Sequence, residues 1–251
     1  SYTPPDSPFD EYMALLDTLG LDRGVIVQPS VYGTDNRATL DALRAAPDRL
    51  RGVAVVDAKI PDAELEEMHG LGVRGVRLNL LYRGGVTWEA AEQLARRIGP
   101  MGWHIQFLID ISEVDGFAAK LSALPVPVVI DHIGHMSAAK GVDHPAFRDL
   151  IALLADGRTW VKLSGAYRVS TQDRLPFSDV APLARALVEA RPDRMVWGSD
   201  WPHPAVTRPM PNDGDLLDLL ADWVPEAGTR DRILRDNPAA LYDFPAAGSA
   251  P

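Results

Sequence analysis

Seven short apolar runs rich in β-branched residues, each followed by a segment with helical spacing, constrain this chain more than anything else in its sequence. The runs are GVIVQ (24–28), GVAVVD (52–57), VRGVRLNL (73–80), HIQFLID (104–110), VPVVIDHIG (126–134), TWVKLSG (159–165) and MVWGSDW (195–201). Strands that are apolar at successive positions have both faces covered, as in a parallel sheet with helices laid against it. FDEYMALLDTLG, DNRATLDALRAA, PDAELEEMHGLG, TWEAAEQLARRIG, SEVDGFAAKLSAL, DHPAFRDLIALLADG and SDVAPLARALVEARP supply the helices. Capping residues or proline open several of them, and glycine or proline closes most. Strand starts recur at intervals of roughly 20 to 35 residues, so strand and helix alternate without interruption.

A doubly wound open sheet also accommodates seven strands, but it usually carries a glycine-rich phosphate turn after the first, and GVIVQPSVYG has no G-x-G-x-x-G. The reading is therefore α/β, a (β/α)₈ TIM barrel. Closure takes eight strands. The tail segments DGDLLDLLADWV and TRDRILRDNPAALYDF read as helix, and the chain opens in a loop-like YTPPDSP that leads into a helix. The first barrel strand is therefore expected before residue 1, the sequence reading as the remainder of a slightly longer chain. No linker divides the 251 residues, so one domain over 1–251 is expected, with only PAAGSAP reading as disordered.

The absence of cysteine removes disulfides, thiolate nucleophiles and Cys-ligated metals. A formal charge of −10 with no basic stripe opposes nucleic acid and anionic membranes as partners. No apolar run reaches the eighteen or so residues that span a bilayer. SYTPPDSPFDEY lacks the basic and apolar regions of a secretory signal, so the cytoplasm is the expected compartment. An anion bound by so acidic a chain needs a local arginine cluster.

Parallel barrels build their active sites at the C-terminal ends of the strands. Asp200 leaves MVWGSDW at that rim, ahead of Pro202-His203-Pro204, and is a candidate general base or metal ligand; a helix cap or loop salt bridge is the plain alternative. VPVVIDHIGH delivers Asp131, His132 and then His135. A neutral imidazole there can donate to a carbonyl oxygen or ligate a metal, and His132, at the strand end itself, outranks His135. His69 and His144 read as surface residues, and His104, near its strand's start, as serving stability at the opposite face. Arg74, Arg77 and Arg83 lie in GVRGVRLNLLYRGG, and Lys162 and Arg168 in VKLSGAYRVS. Arginine on a buried strand is costly unless paired or facing a polar site. Arg77, Arg83 and Arg168 are candidates to converge on a substrate with two or more carboxylates, the bland alternative being bridges to helices or acidic loops. Neither Ser164 nor Ser199 lies in a G-x-S-x-G elbow, and no H-E-x-x-H, Walker or EF-hand motif occurs.

IDHIG, KLSGAYR and WGSDWPHP, in that order at the ends of late strands, resemble the amidohydrolase superfamily, in the branch containing 2-pyrone-4,6-dicarboxylate lactonase. YTPPDSP, GVIVQPSVYGTDN, LRGVAVVD and GVRLNLLYRGG extend the resemblance over nearly the whole chain. It implies a hydrolase that opens a carboxylated lactone, 2-pyrone-4,6-dicarboxylate or a close relative, in aromatic-compound catabolism. It also implies roles: Asp200 takes a proton from water, His132 polarises the lactone carbonyl, and Arg77, Arg83 and Arg168 grip carboxylates. Tyr2 and Ser30 are lesser substrate contacts. The His-x-His pair that ends the family's first strand does not occur here. The branch is expected to need no metal or other cofactor, and TWVKLSG, lacking histidine and followed by Arg168, fits a site where cationic side chains replace one. The alternatives are a hydrolase using one divalent metal such as zinc, a decarboxylase of the amino-carboxymuconate-semialdehyde type, and a non-enzymatic anion-binding barrel. The expected partner is a small carboxylated molecule, with neither nucleic acid nor membrane; the oligomeric state is left open.

Overall fold

The computed structural model describes residues 6–81 and 88–245. Within them, seven strands lie side by side in chain order: β1 (Gly24–Val27), β2 (Leu50–Ala54), β3 (Val73–Asn79), β4 (His104–Leu108), β5 (Val128–Ile130), β6 (Thr159–Leu163) and β7 (Met195–Trp197). All six pairings are parallel. Strand twist and one-handed crossovers curl such a sheet toward a barrel. β1 and β7 each pair with one neighbour among the described residues, and the expected eighth strand is not among them.

The helices are α1 (Phe9–Leu19), α2 (Arg37–Ala45), α3 (Asp62–Gly70), α4 (Trp88–Ile98), α5 (Phe117–Ser122), α6 (Pro145–Leu154), α7 (Ala166–Val169), α8 (Ala181–Ala190), α9 (Asp213–Trp223), α10 (Ala227–Asp231) and α11 (Asn237–Leu241). Local chemistry sets several of their ends. Left-handed Gly20 closes α1, where Leu21 N–H donates to the Leu16 carbonyl. The Asn212 side chain accepts from Asp215 N–H at 2.9 Å, and Asp213 and Asp215 lie on the positive end of the α9 dipole. None of the described helices is long and apolar enough to cross a membrane.

Register assigns the inner face. Gln106 aligns with Arg77 on one side and Val129 on the other, Val129 with Trp160, and Val196 with Lys162. The main core, with Leu43, Leu65, Leu94, Phe147 and Leu187, fills the space between sheet and helices. A smaller cluster of Val53, Val129, Trp160 and Val196 packs against Leu241, which ends α11, and Tyr242 and Phe244 just after it, and together they cover the N-terminal ends of the strands. Polar contacts tie that cover to the first three strands. Arg74 pairs with the Asp243 carboxylate at 3.1 Å, Arg51 donates to the Asp243 carbonyl and Arg23 to that of Pro245.

Several boundaries differ from the sequence reading. β5 and β7 are three residues each because the polar residues after Ile130 and Trp197 turn out of the sheet. β2 begins at Leu50 and ends at Ala54, where Val55 N–H donates to Asn36 Oδ1 instead of a strand. β1 is half-buried at all four positions rather than covered on both faces. SEVDGFAAKLSAL is helical only over Phe117–Ser122, after left-handed Gly116. His69 and His144 are half-buried structural residues, not surface ones. Trp103 Nε1–H donates to His69 Nδ1 at 2.9 Å, and His144 caps α6 by accepting from Ala146 N–H.

Candidate active site

The polar residues at the C-terminal ends of β5, β6 and β7 converge. Asp131 follows β5 in extended backbone, and His132, Ile133 and His135 then adopt left-handed conformations, with φ of 50°, 57° and 53°. Asp200 and His203, after β7, do the same at 65° and 57°. Such backbone costs a residue with a Cβ about 1–2 kcal/mol and persists where surrounding structure enforces it. Here it turns imidazole and carboxylate over the barrel mouth. Gly165, at φ 61°, makes room: a Cβ there would lie 2.8 Å from His132 Nδ1.

His132 is 7% exposed, and burial pushes its pKa down to about 4, so the ring is neutral near pH 7. Ser164 Oγ lies 2.9 Å from Nδ1. With the hydroxyl donating, the ring hydrogen sits on Nε2, which faces Asp200 Oδ1 at 3.8 Å. Asp200 Oδ2 accepts from both Tyr167 Oη and Arg168 Nε at 2.5 Å. Burial raises the Asp200 pKa, but His132, Arg168 and Tyr167 together hold it below the usual carboxylate value. The same burial, with the adjacent carboxylate, raises that of Tyr167, which stays a protonated donor. Tyr167 Oη also lies 3.0 Å from His203 Nδ1, and His203 Nε2 lies 3.2 Å from the Asp213 carboxylate.

A second group sits deeper. Asp131, 1% exposed, accepts from Gln106 Nε2 at 2.9 and 3.0 Å and pairs with Lys162 at 3.3 Å and Arg77 at 3.7 Å. Burial favours its neutral form, yet Lys162, His132 and Arg77 outweigh that and hold the pKa at about 2. Burial also pulls the Lys162 pKa down, opposed by Asp131. Arg77 donates to the Gln28 carbonyl at 3.3 Å, and Asn79 to Ser30 Oγ at 2.9 Å. The two groups thus set Arg77, Lys162 and Arg168 against Asp131, Asp200 and Asp213, a local concentration of cations on an acidic chain.

Asp200, His132, His135, Arg77, Arg168 and Ser30 therefore fall on this end of the sheet. His135 stacks edge-on against His132, with ring centres 5.8 Å apart. Arg83 and Tyr2 lie outside the described residues. Arg74 belongs to the opposite end, with Asp243, and so does buried His104, edge-on to Tyr242. Sequence reasoning passed over Tyr167, His203, Asp213 and Gln106. The available signals were the position of Tyr167 one residue before Arg168 and of His203 three after Asp200. Among the described residues, no three His, Asp or Glu side chains converge so as to hold a metal ion. The neighbours bonded to Asp200 are a guanidinium and a phenol, a poor donor set for a cation.

A curled parallel sheet with imidazole, carboxylate and arginine gathered at its C-terminal mouth defines an α/β enzyme of the barrel class. The family model described as amidohydrolase matches residues 1–244, and the chain belongs to the amidohydrolase family; it is a hydrolase. It is 40% identical to 4-sulfomuconolactone hydrolase of Hydrogenophaga intermedia, over 99% of this chain and 83% of that protein. It is 38% identical to the 2-pyrone-4,6-dicarboxylate hydrolase of Comamonas testosteroni, over 96% of this chain and 82% of that protein. Among solved structures, a candidate 2-pyrone-4,6-dicarboxylic acid hydrolase of Acinetobacter baumannii with citric acid bound superposes with a TM-score of 0.84 at 28% identity, covering 96% of this chain and 93% of that one.

Proposed function

We propose that this chain hydrolyses a lactone carrying anionic groups, 2-pyrone-4,6-dicarboxylate or a close relative, in cytoplasmic aromatic catabolism. The observation that carries this reading is the division of labour at Asp200: Oδ2 is held by Tyr167 and Arg168 while Oδ1 faces His132 Nε2. Oδ1 takes a proton from water as the oxygen attacks the lactone carbonyl, and His132 Nε2–H donates to the developing oxyanion. Arg77 and Arg168 orient the substrate's anionic groups. Two relatives with lactone names and a neighbour holding citric acid support an anionic substrate. An eighth strand between the open edges of β1 and β7, bringing the His-x-His pair, belongs to the same reading. The cationic surroundings of Asp200 support chemistry without a metal ion.

The test is loss of pyrone absorbance on incubation of 2-pyrone-4,6-dicarboxylate with the chain extended to carry the proposed eighth strand, with and without chelator. Asp200→Asn is the control, since asparagine tolerates the left-handed backbone. Turnover that survives chelator and falls by about 10²–10⁴ in the variant is expected. Chelator-sensitive turnover refutes the metal-free mechanism, and no turnover of this lactone or its sulfonated relative refutes the substrate class.

A further inference from the structure

Asp200, Tyr167, His203 and Asp213 form a line of polar groups within hydrogen-bond distance from the site's floor to α9, and the chemistry above leaves its last two members unused. Tyr167 has one proton and gives it to Asp200 Oδ2. His203 Nε2 faces the Asp213 carboxylate at 3.2 and 3.3 Å, which fixes a hydrogen on that nitrogen. Nδ1 then lies 3.0 Å from the Tyr167 hydroxyl, within reach of its proton once that proton is no longer given to Asp200. The charged and polar groups recorded around the imidazole are Asp213 on α9 and Tyr167 on α7, with Arg168 alongside donating to the Pro204 carbonyl. The side chains of His203 and Asp213 are each 12% exposed, so the line ends close to the surface.

Lactone hydrolysis makes such a line useful. Asp200 takes one proton from water and returns it to the ring oxygen as the carbon–oxygen bond breaks. The new carboxylic acid then gives its proton to the freed Asp200, and that proton must leave a buried site in each turnover. We propose that Asp213 and His203 are positioning residues that complete a proton exit through Tyr167. With the proton on Oδ2, Asp200 donates to the Tyr167 oxygen, Tyr167 turns its own proton to His203 Nδ1, and the imidazolium releases the Nε2 proton by way of Asp213. The kinetic role rests on the lactonase reading; the tautomer does not.

Two measurements on the full chain test it. In ¹⁵N-histidine spectra, the neutral form of His203 is expected to carry its hydrogen on Nε2, and Asp213→Asn is expected to abolish that preference. A hydrogen on Nδ1, or no change in the variant, overturns the relay whatever the substrate. With a lactone that the parent turns over, His203→Asn is expected to lower kcat by about tenfold to a hundredfold while kcat/KM stays within about threefold, because regeneration follows the first irreversible step. Added imidazole is expected to restore kcat in a saturable way, as it can fill the vacated space and accept the Tyr167 proton. Parallel loss of kcat and kcat/KM without rescue identifies a merely structural residue and overturns the proposal, as does an unchanged kcat. A parent that hydrolyses no anionic lactone refutes the lactonase reading alone, and the tautomer measurement then decides the relay.

Discussion

Asp131→Asn replaces the carboxylate beneath the site with a group of the same shape and no charge. The parent residue neutralises Lys162 at 3.3 Å and Arg77 at 3.7 Å, with side-chain exposures of only 12% and 13% for those cations. Removing one partner of a buried ion pair costs about 3–5 kcal/mol. Lys162 can escape by shedding its proton, which burial already favours. Neutralising a lysine of ordinary pKa 10.5 at pH 7 costs about 1.4 kcal/mol per unit, or about 5 kcal/mol, so this route caps the penalty. A chain of this size melts about 2–4 °C lower per kcal/mol, giving a drop of roughly 6–20 °C. If Lys162 is neutral in the folded variant but charged in its unfolded chain, unfolding takes up a proton. The variant then gains about 1.4 kcal/mol of stability per pH unit on the parent from pH 7 toward 10. Urea unfolding of both proteins at pH 7, 8 and 9 measures this. A deficit below about 1 kcal/mol at pH 7 would show that the network is weakly coupled and refute the argument.

Arg77→Lys keeps charge beside Asp131 but loses the planar fork, so KM is expected to rise about tenfold with kcat and melting temperature nearly unchanged; an unaltered KM removes Arg77 from substrate binding. Gly165→Ala places a methyl 2.8 Å from His132 Nδ1 in left-handed backbone, so it should cost about 1–2 kcal/mol in urea unfolding and lower kcat. Unchanged kcat would mean that His132 can shift without consequence. Burial pushes the His104 pKa down to about 3 from 6.5, so the unfolded chain binds that proton first, and stability present above pH 6.5 drains away as pH falls toward 3. Between pH 6.5 and 5 this amounts to roughly 2 kcal/mol, and His104→Gln should lose that much less over the interval; equal losses in the two proteins would contradict it.

The seven strands could be read because parallel strands are apolar along their length, and turn residues bracket each one. Their C-terminal limits were overrun because Asp131, Ser164 and Asp200 continue the run in sequence while the backbone departs. A left-handed aspartate looks like any other in a string of letters. Asp200 and His132 were legible as polar residues at strand ends, and the fold brings their side chains to 3.8 Å. The union of Asp131, Gln106, Lys162 and Arg77 was not, since it depends on register across four strands and no single run shows which of its polar residues face one another. Tyr167 and His203 escaped notice for a related reason: their importance lies in the partner each bonds, and those partners come from different loops.

The cover formed by residues 241–245 has a consequence for synthesis. Arg51 and Arg74 meet Asp243 across 192 and 169 residues, and Arg23 meets Pro245 across 222. At about 5–20 residues per second, the first strands leave the ribosome roughly 10–40 seconds before the residues that close their lower ends. For that interval the valines of β1 and β2 face an uncovered opening, and the arginines around it lack the carbonyl and carboxylate groups that later hold them. The nascent chain therefore passes through a stage in which β1 and β2 stay unsealed at their lower ends until residues 241–245 are made, and chaperones that recognise apolar surface have a long opportunity there.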